Sequence, residues 1–343
     1  MLVLAGDVGG TKTALALADV GPRSLRFLRI RRYRSLDWPG LEAIVGDFLE
    51  NEGARPRAAA FGVAGPVRDG HAKVTRLPWS VEQRSLALRL RPARVAVIND
   101  FVAAALGLPR LSPRRLAVLL PGKPEPGGPI GLIGAGTGLG QAALVPIVGG
   151  HLVLPSEGGH VEFGPRDDRE DRLVSFLRRR YGRVSRDRIL SGEGIGDIYD
   201  FLAVERRRSA PPALARALAQ GDRAAAISRF ALAGRDPTCR EALSLFVSIY
   251  GSEAANVAMQ YQATGGVYLA GGIAPKILPA LRRPVFRESF RGKPPMEDFL
   301  AQIPVRVVLD PRLPLVGAAG EAYRITMETT RRRSKTMFRR RSR

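Results

Sequence analysis

Two segments of this chain repeat one pattern: an apolar run, a cluster of glycine and threonine, and a second apolar run. They are LVLAGDVGGTKTALALA at 2–18 and PIGLIGAGTGLGQAALVPIV at 129–148. The pattern predicts a β-hairpin whose tip exposes backbone N–H groups and a threonine hydroxyl. Because glycine lets a ligand approach the backbone closely, such a tip is suited to bind phosphate. Two such hairpins predict two related domains that hold one polyphosphate between them.

Other glycine-rich phosphate motifs fit these segments poorly. Neither has the G-x-x-x-x-G-K-[ST] spacing of a Walker loop. Residues 134–140 read G-x-G-x-G-x-G, and a strand-like run follows them where a dinucleotide-binding fingerprint would open a helix. Either segment alone would be interpreted as an ordinary hairpin with a tight turn. The repetition favours phosphate binding, and so does Asp7, because a carboxylate there can hold Mg²⁺ against the phosphates, usually through water.

The size and composition of the chain indicate two globular domains. A chain of 343 residues is too long for one comfortable core and suits two domains with a cleft between them. With 45% apolar and 25% charged residues, the composition is that of an ordinary globular protein. There is no apolar run of ~20 residues and no basic leader, and there is one cysteine. We therefore expect a cytoplasmic protein with no membrane contact and no structural metal.

The net charge of +22 invites a nucleic-acid interpretation. Eight basic residues and no acidic residue lie at 331–343, and the rest of the chain still has 46 basic against 32 acidic residues. Aromatic residues make up 6% of the chain and are not interleaved with basic ones, so a stacking platform for single strands is not expected. We interpret 331–343 as a disordered, solvated tail, with an anionic surface or RNA as the alternative partner. No specific nucleic acid is expected, and the remaining charge would steer anionic ligands.

Residues 1–109 are predicted to form a small α/β domain, to which a C-terminal helix at 311–328 returns. Buried strands alternate with helices behind the first hairpin, which indicates a largely parallel sheet. The predicted elements are a third strand at 24–33, a helix at 40–52, strands at 58–63 and 94–98, and a helix at 101–108. The segment 109–129, rich in proline and glycine, is predicted to be a linker.

Residues 110–310 are predicted to form a larger α/β domain that opens with the second hairpin. A loop at 154–166 is followed by a helix-rich stretch, a strand at 266–270, a helix from Pro275 and a strand at 304–309. The predicted helices of the stretch are 168–181, 194–202, 212–219, 223–233 and 239–263. Ligands bind beyond the carboxyl ends of strands in such sheets. We therefore expect Asn99–Asp100, the loop at 134–140 and Gly271–Gly272 to converge on one cleft.

Five segments in the same order resemble the motifs of bacterial ATP-dependent glucokinases of the hexokinase and actin-like superfamily. They are DVGGT at 7–11, VINDF at 97–101, GAGTGLG at 134–140, EGGH at 157–160 and LAGGI at 269–273. The resemblance extends from Leu2 to about Arg324 and implies a two-domain actin-like, ribonuclease H-like α/β fold with a cleft between the domains. The zinc-binding cysteine cluster of the related repressor and open-reading-frame kinase family is missing, which favours the glucokinase branch.

The resemblance also implies which residues bind ATP. The first phosphate motif would contribute Asp7, Gly9, Gly10 and Thr11, and Asp7 would hold Mg²⁺ through water. The second phosphate motif would contribute Gly136, Thr137 and Gly138, and the adenosine motif Gly271 and Gly272. Lys12 is better interpreted as a solvated hairpin residue, and Ser191–Gly192 as lining the nucleotide side or as a helix N-terminus.

Asp100 is the candidate catalytic base. Phosphoryl transfer needs positioning and charge neutralisation more than covalent help, and a carboxylate at a strand end can accept the proton of an attacking hydroxyl. The alternative is that Asp100 is only the N-cap of the helix after Ile98. Asn99 would orient the sugar, and Glu157 and His160, in a glycine-rich loop, would bind vicinal sugar hydroxyls.

Two positions depart from the family pattern. Asp187 stands where a sugar-binding glutamate is usual, and its carboxylate is one methylene shorter. Arg76 stands where an asparagine is usual. Both bear on which sugar is bound and how tightly, and not on the class of reaction.

The sequence therefore predicts a cytoplasmic glucokinase that phosphorylates glucose with ATP and Mg²⁺, and the resemblance implies a homodimer. A kinase for another hexose or an amino sugar is the nearest alternative. A non-catalytic sugar sensor or a nucleic-acid-associated protein is the alternative from another class, suggested by the charge. Such a sensor would be expected to carry a helix-turn-helix, for which there is no room before Leu2.

Overall fold

A computed structural model describes residues 1–327 in full and the backbone of residues 328–341. The chain divides into two compact units, Met1–Pro113 with Arg312–Arg343, and Arg114–Pro311. The predicted basic tail, 331–343, lies outside the fully described residues. None of the described helices combines the length and apolarity needed to cross a bilayer.

The first unit contains a five-stranded sheet, a small three-stranded sheet and four α-helices among the described residues. The five-stranded sheet has the strand order β3-β2-β1-β4-β8. Its strands are β1 (Leu2–Val8), β2 (Lys12–Val20), β3 (Leu25–Arg34), β4 (Ala58–Val63) and β8 (Arg94–Asn99). The small sheet contains β5 (Val67–Arg68), β6 (His71–Lys73) and β7 (Ser80–Glu82), and the helices are α1 (Leu41–Glu52), α2 (Gln83–Arg89), α3 (Asp100–Gly107) and α13 (Leu313–Arg341).

The first predicted hairpin is confirmed, and the sheet behind it is parallel. Strands β1 and β2 pair antiparallel, with Val8 opposite Thr13 at the tip. Strands β1, β4 and β8 run parallel, so that Asp7 pairs with Gly62, and Val63 pairs with Asn99. The parallel direction places the carboxyl ends of all three strands at one edge of the sheet, which is where Asp7 and Asn99 lie.

The five-stranded sheet is covered by apolar side chains on both faces. One face packs against α1 through large buried residues such as Phe48 and Phe61, each worth roughly 1.5–3 kcal/mol of burial. The other face consists largely of alanine and packs against α13. Small side chains on both partners let this helix lie close to the sheet.

Helices α3 and α13 approach at backbone distance. A Cβ added at Gly317 of α13 would clash with the carbonyl oxygen of Ala103 on α3. We expect Gly317→Ala to lower the free energy of unfolding by about 1–3 kcal/mol, the usual cost of overpacking. Gly320→Ala is the matched control, because on the same helix its Cβ would meet only the movable side chain of Arg110.

Urea unfolding of both variants measures the effect of these substitutions. Alanine is about 1 kcal/mol better than glycine inside a helix, so Gly320→Ala should be neutral or stabilising. Equal stability of the two variants would contradict the close approach of α3 and α13.

The second unit contains a six-stranded sheet with the order β12-β11-β10-β13-β14-β9. Its strands are β9 (Leu116–Leu120), β10 (Ile130–Ala135), β11 (Leu139–Ile147), β12 (Gly150–Ser156), β13 (Gly266–Ala270) and β14 (Val305–Val308). The helices are α4 (Asp168–Tyr181), α5 (Arg186–Ile189), α6 (Gly192–Glu205), α7 (Pro212–Ala219), α8 (Arg223–Leu232), α9 (Pro237–Gln260), α10 (Leu278–Leu281), α11 (Pro284–Arg291) and α12 (Glu297–Gln302). The long helix α9 is central to the apolar core of this unit.

The second predicted hairpin is also confirmed. Strands β10 and β11 pair antiparallel, with Ala135 opposite Leu139 at the tip. Strand β13 runs parallel to β10, and Ala270 pairs with Gly134. The end of β13 therefore lies beside the glycine-rich tip, as the prediction for Gly271–Gly272 requires.

Three local predictions were wrong. The segment 109–129 is not only a linker, because β9 within it pairs antiparallel with β14 at the edge of the sheet. The predicted loop at 154–166 begins inside β12, which pairs with β11. No continuous helix starts at Pro275: residues 271–277 form turns before the short α10, since Pro275 and Pro279 each lack a backbone N–H to donate.

Candidate active site

The tip of the first hairpin is held in place by a buried serine that the sequence did not single out. Ser35 donates its hydroxyl to the carbonyl of Gly9 at 2.8 Å, and its N–H donates to the carbonyl of Thr11 at 3.1 Å. Its Oγ also lies 3.0 Å from Oγ1 of Thr13. On the other side, Gly10 lies against the carbonyl of Thr75. The predicted phosphate motif is therefore held by contacts within its own unit.

Asp7 and Asp100 are two neighbouring carboxylates at the edge where β1, β4 and β8 end. Both side chains are partly buried. Burial, and secondly the negative charge of Asp100, raise the pKa of Asp7 to about 7. Two carboxylates that repel each other in this way attract a divalent cation.

The residue that caps α3 is Asn99 and not Asp100. Oδ1 of Asn99 accepts hydrogen bonds from the N–H groups of Phe101 at 2.9 Å and Val102 at 3.1 Å. Its Nδ2 donates to the carbonyl of Gly65 at 3.1 Å. Asp100 is the first residue of the helix, and its Oδ1 accepts from the N–H of Phe101 at 2.9 Å. Because Asn99 supplies the cap, Asp100 is not required for it.

The second glycine-rich tip, the start of α6 and the end of β13 meet within the second unit. The N–H of Gly136 donates to the carbonyl of Gly138 at 2.8 Å, which closes a turn around Thr137. The N–H of Gly192, the first residue of α6, donates to the carbonyl of Gly136 at 2.9 Å. Gly271, with φ of +80°, packs against the carbonyl of Ala135 where a Cβ would clash. The structure thus brings together the predicted second phosphate and adenosine motifs.

This group of glycines presents open backbone to a ligand. A Cβ at Gly136, Gly138 or Gly272 would meet no atom within 4 Å. Packing inside the protein therefore does not explain glycine at these three positions, whereas close approach of a ligand would. A helix N-terminus beside such a loop favours bound anions. Oγ of Ser191 accepts a hydrogen bond from the N–H of Gly194 at 3.1 Å and so caps α6. The interpretation of Ser191 as a helix N-terminus is confirmed.

Glu157, His160 and Asp187 form one cluster in the second unit. Nδ1 of His160 lies 3.5 Å from Oδ2 of Asp187, and Nε2 lies 3.9 Å from Oε2 of Glu157. The side chains of His160 and Glu157 are 66% and 59% exposed, and that of Asp187 is 20% exposed. The cluster presents carboxylate acceptors and an imidazole at an accessible surface, as binding to sugar hydroxyls requires.

Asp187 is held beside His160 by main-chain pairing. The N–H of Arg186 donates to the carbonyl of Val161 at 3.0 Å, and Glu162 forms a β-bridge with Ser185. The hydroxyl of Ser185 donates to Oδ1 of Asp187. Sequence reasoning missed Ser185, which has no motif signal. One oxygen of Asp187 is thereby engaged, and the other faces His160.

The residues described in full contain no cluster of three or more histidine, cysteine, aspartate or glutamate side chains that could hold a metal ion. A nucleotide-bound Mg²⁺ does not need such a cluster, because it keeps several waters and takes one or two protein carboxylates. The partly buried carboxylate of Asp7 fits that requirement.

Comparison with known proteins identifies the family of this chain. A family model described as glucokinase matches residues 4–324. The chain belongs to the glucokinase family. The glucokinase of Nostoc sp. is 40% identical over 340 residues, covering 94% of this chain and 99% of the relative. That of Synechocystis sp. is 38% identical over 341 residues, covering 92% and 96%.

Solved structures extend the comparison to the fold. The glucokinase of an Antarctic psychrotroph aligns with a TM-score of 0.81 and 30% identity, covering 94% of this chain and 99% of the other. Glucokinase from Balamuthia mandrillaris in complex with glucose gives 0.81 at 23% identity over 94% and 93% of the chains, a likeness of fold. The resemblance to the glucokinase family and the two-domain actin-like α/β fold class predicted from it are confirmed.

Proposed function

We propose that this member of the glucokinase family transfers the γ-phosphoryl group of ATP to the 6-hydroxyl of glucose. The observation that supports it most is the match of the glucokinase family model over residues 4–324. The motifs that carried the prediction lie inside that range. At 40% identity and nearly full coverage, the relative from Nostoc sp. supports the same activity.

Asp100 is the proposed general base. It lies at the carboxyl end of β8, where it accepts the proton of the sugar hydroxyl as the oxygen attacks the γ-phosphorus. General-base help of this kind contributes typically ~10²–10⁴-fold.

Asp7 is the proposed protein ligand of Mg²⁺, which it holds through a bound water molecule. When bound, Mg²⁺ neutralises charge on the phosphates of ATP. Gly9, Gly10 and Thr11 of the first tip are proposed to contact the phosphates.

The second unit supplies the remaining nucleotide contacts in this proposal. Gly136, Thr137 and Gly138 bind phosphate through the open backbone of the turn, and Gly271 and Gly272 border the adenosine. A glucokinase of the ROK family from Streptomyces griseus, solved in complex with glucose and AMPPNP, aligns with a TM-score of 0.64 at 23% identity and so shares the fold.

Sugar binding is assigned to Asn99, Glu157, His160 and Asp187. One N–H of the Asn99 amide donates to Gly65, and we assign the other to a sugar hydroxyl. Asp187 is shorter than the usual glutamate and is tied to Ser185, so we propose that it reaches the sugar through water. These polar groups would remain unpaired with a wrong sugar, which is a strong source of discrimination.

A kinase for another hexose is the second candidate, favoured by Asp187 and by Arg76. An ATP-coupled assay with glucose, mannose, fructose and N-acetylglucosamine separates the two. We expect the highest kcat/KM on glucose. A higher value on another sugar would transfer the proposal to that sugar and leave the kinase assignment in place.

We further propose that the protein acts in the cytoplasm as a homodimer, as the family resemblance implies. Light scattering of the purified full chain measures the oligomeric state. A monomer at micromolar concentration would contradict the dimer and leave the phosphotransfer proposal unaffected.

A further inference from the structure

A buried carboxylate that no motif includes lies beneath the sugar-binding cluster. Glu253 is on α9 and is 5% exposed. Its Oε1 accepts from Nε2 of Gln141 and from Nη1 of Arg186, each at 2.7 Å. Its Oε2 accepts from Nδ2 of Asn256 at 2.7 Å. Three donors from β11, α5 and α9 thus converge on one side chain.

The first of these contacts leads to the loop that carries Glu157 and His160. Gln141 is completely buried in β11, and its amide lies directly against Gly158, where a Cβ would clash with Oε1. The bond to Glu253 fixes the orientation of this amide. Glu253 therefore orients the Gln141 side chain, against which Gly158 of the loop packs.

The second contact leads to Asp187. Arg186, the residue before it, is held twice: its side chain binds Glu253, and its N–H binds the carbonyl of Val161 in the same loop. The position of Asp187 follows from both bonds. One carboxylate therefore links both segments of the sugar cluster to α9.

Stability alone is a poor explanation for a carboxylate at this place. The desolvation of a buried ion pair often cancels its Coulomb attraction, and an apolar replacement is often neutral or stabilising. Most of the other buried residues of helix α9 are apolar and pack in the core. A carboxylate that accepts three hydrogen bonds in such a helix suggests that its role is to orient the side chains that donate to it.

We propose that Glu253 is a positioning residue for the sugar site, acting through Gln141 on Gly158 and through Arg186 on Asp187. This inference rests on the proposed sugar kinase function. It assigns Glu253 no contact with glucose or ATP. Its loss should weaken the binding of the sugar and leave the binding of the nucleotide nearly unchanged.

The test is Glu253→Gln in the full-length protein. Glutamine has the same size as glutamate, but its NH₂ group replaces an oxygen that accepts hydrogen bonds. At least one buried hydrogen bond to residue 253 is therefore lost, and Arg186 loses its charge partner. We expect the KM for glucose, and the glucose Kd from calorimetry, to rise about 10- to 100-fold. The KM for ATP should stay within about twofold, a split that a general loss of structure would not give.

Asp197→Asn is the matched control. Asp197 is another buried carboxylate of the same unit, bonded to Nη1 of Arg180 at 2.8 Å and to the hydroxyl of Tyr181 at 2.9 Å. Its loss should lower stability and leave the glucose KM within about twofold of wild type. Arg186→Lys, at a side chain 20% exposed, is a milder second variant. It should raise the glucose KM severalfold, because lysine lacks the planar fork of arginine.

Each outcome of these measurements either supports or overturns the positioning role of Glu253. The positioning role would be overturned if the glucose KM of Glu253→Gln were unchanged, or if the KM values for glucose and ATP rose by the same factor. Sugar kinase activity of the wild-type protein would still support the proposed function in either case. Should Glu253→Gln fail to fold, an unchanged glucose Kd in Arg186→Lys would overturn it instead. A wild-type protein that neither binds nor phosphorylates any sugar would overturn the proposed function and this inference with it.

Discussion

Replacing Asp100 with asparagine is expected to reduce kcat by about 10²- to 10⁴-fold, the usual contribution of a general base. The amide has nearly the same shape and cannot accept the hydroxyl proton. Because Asn99 and not Asp100 supplies the cap of α3, the helix should remain intact. The Kd values for glucose and ATP, measured by calorimetry, should stay close to those of wild type.

Asp222→Asn is the control for this experiment. Asp222 is the N-cap of α8, and its Oδ1 accepts from the N–H of Ala225 at 3.0 Å. Asparagine caps helices as well as aspartate does, so kcat should not change. Near-normal turnover in Asp100→Asn would show that Asp100 is not the base.

Gly159→Ala should give the second large effect, a lower kcat/KM for glucose. A Cβ at Gly159 would clash with the carbonyl oxygen of Leu139, which is backbone and cannot swing away. The loop between Glu157 and His160 must then move, and a displacement of about 1 Å can cost ~10²-fold in an active site. We expect kcat/KM for glucose to fall by about that factor, measured by the coupled assay.

Gly164→Ala, a few residues along the same chain segment, is the matched control. A Cβ there would meet no atom within 4 Å. This variant should retain wild-type kcat/KM. If Gly159→Ala also retained it, the loop would not be positioned by β11 as described.

The sequence was most informative where a local pattern sets the structure. Both hairpins follow from apolar runs that flank glycine and threonine, and the antiparallel pairing of β1 with β2 and of β10 with β11 confirms that prediction. The strand–helix junction at Asn99–Asp100 was also readable. Which of the two residues caps α3 was not, because both types are good caps and only the geometry of the chain selects Asn99.

The parts that sequence reasoning missed depend on contacts between distant residues. The edge strand β9 pairs with β14, which lies far along the chain. Prolines and glycines flank β9, and their presence led to the prediction of a linker. Glu253 meets Gln141 and Arg186 from separations of 112 and 67 residues, and no spacing rule connects them. The cluster of His160 and Asp187 was predictable only through the family resemblance, since 27-residue separations carry no periodic signal.

Direct identification of the products tests the central claim most closely. The purified full-length protein is incubated with glucose, ATP and Mg²⁺, and sugar phosphate and ADP are quantified by ³¹P NMR. We expect glucose 6-phosphate and ADP in equal amounts, with little ADP when the sugar is left out. ADP without a matching sugar phosphate, or no turnover of ATP with any sugar of the panel, would contradict it.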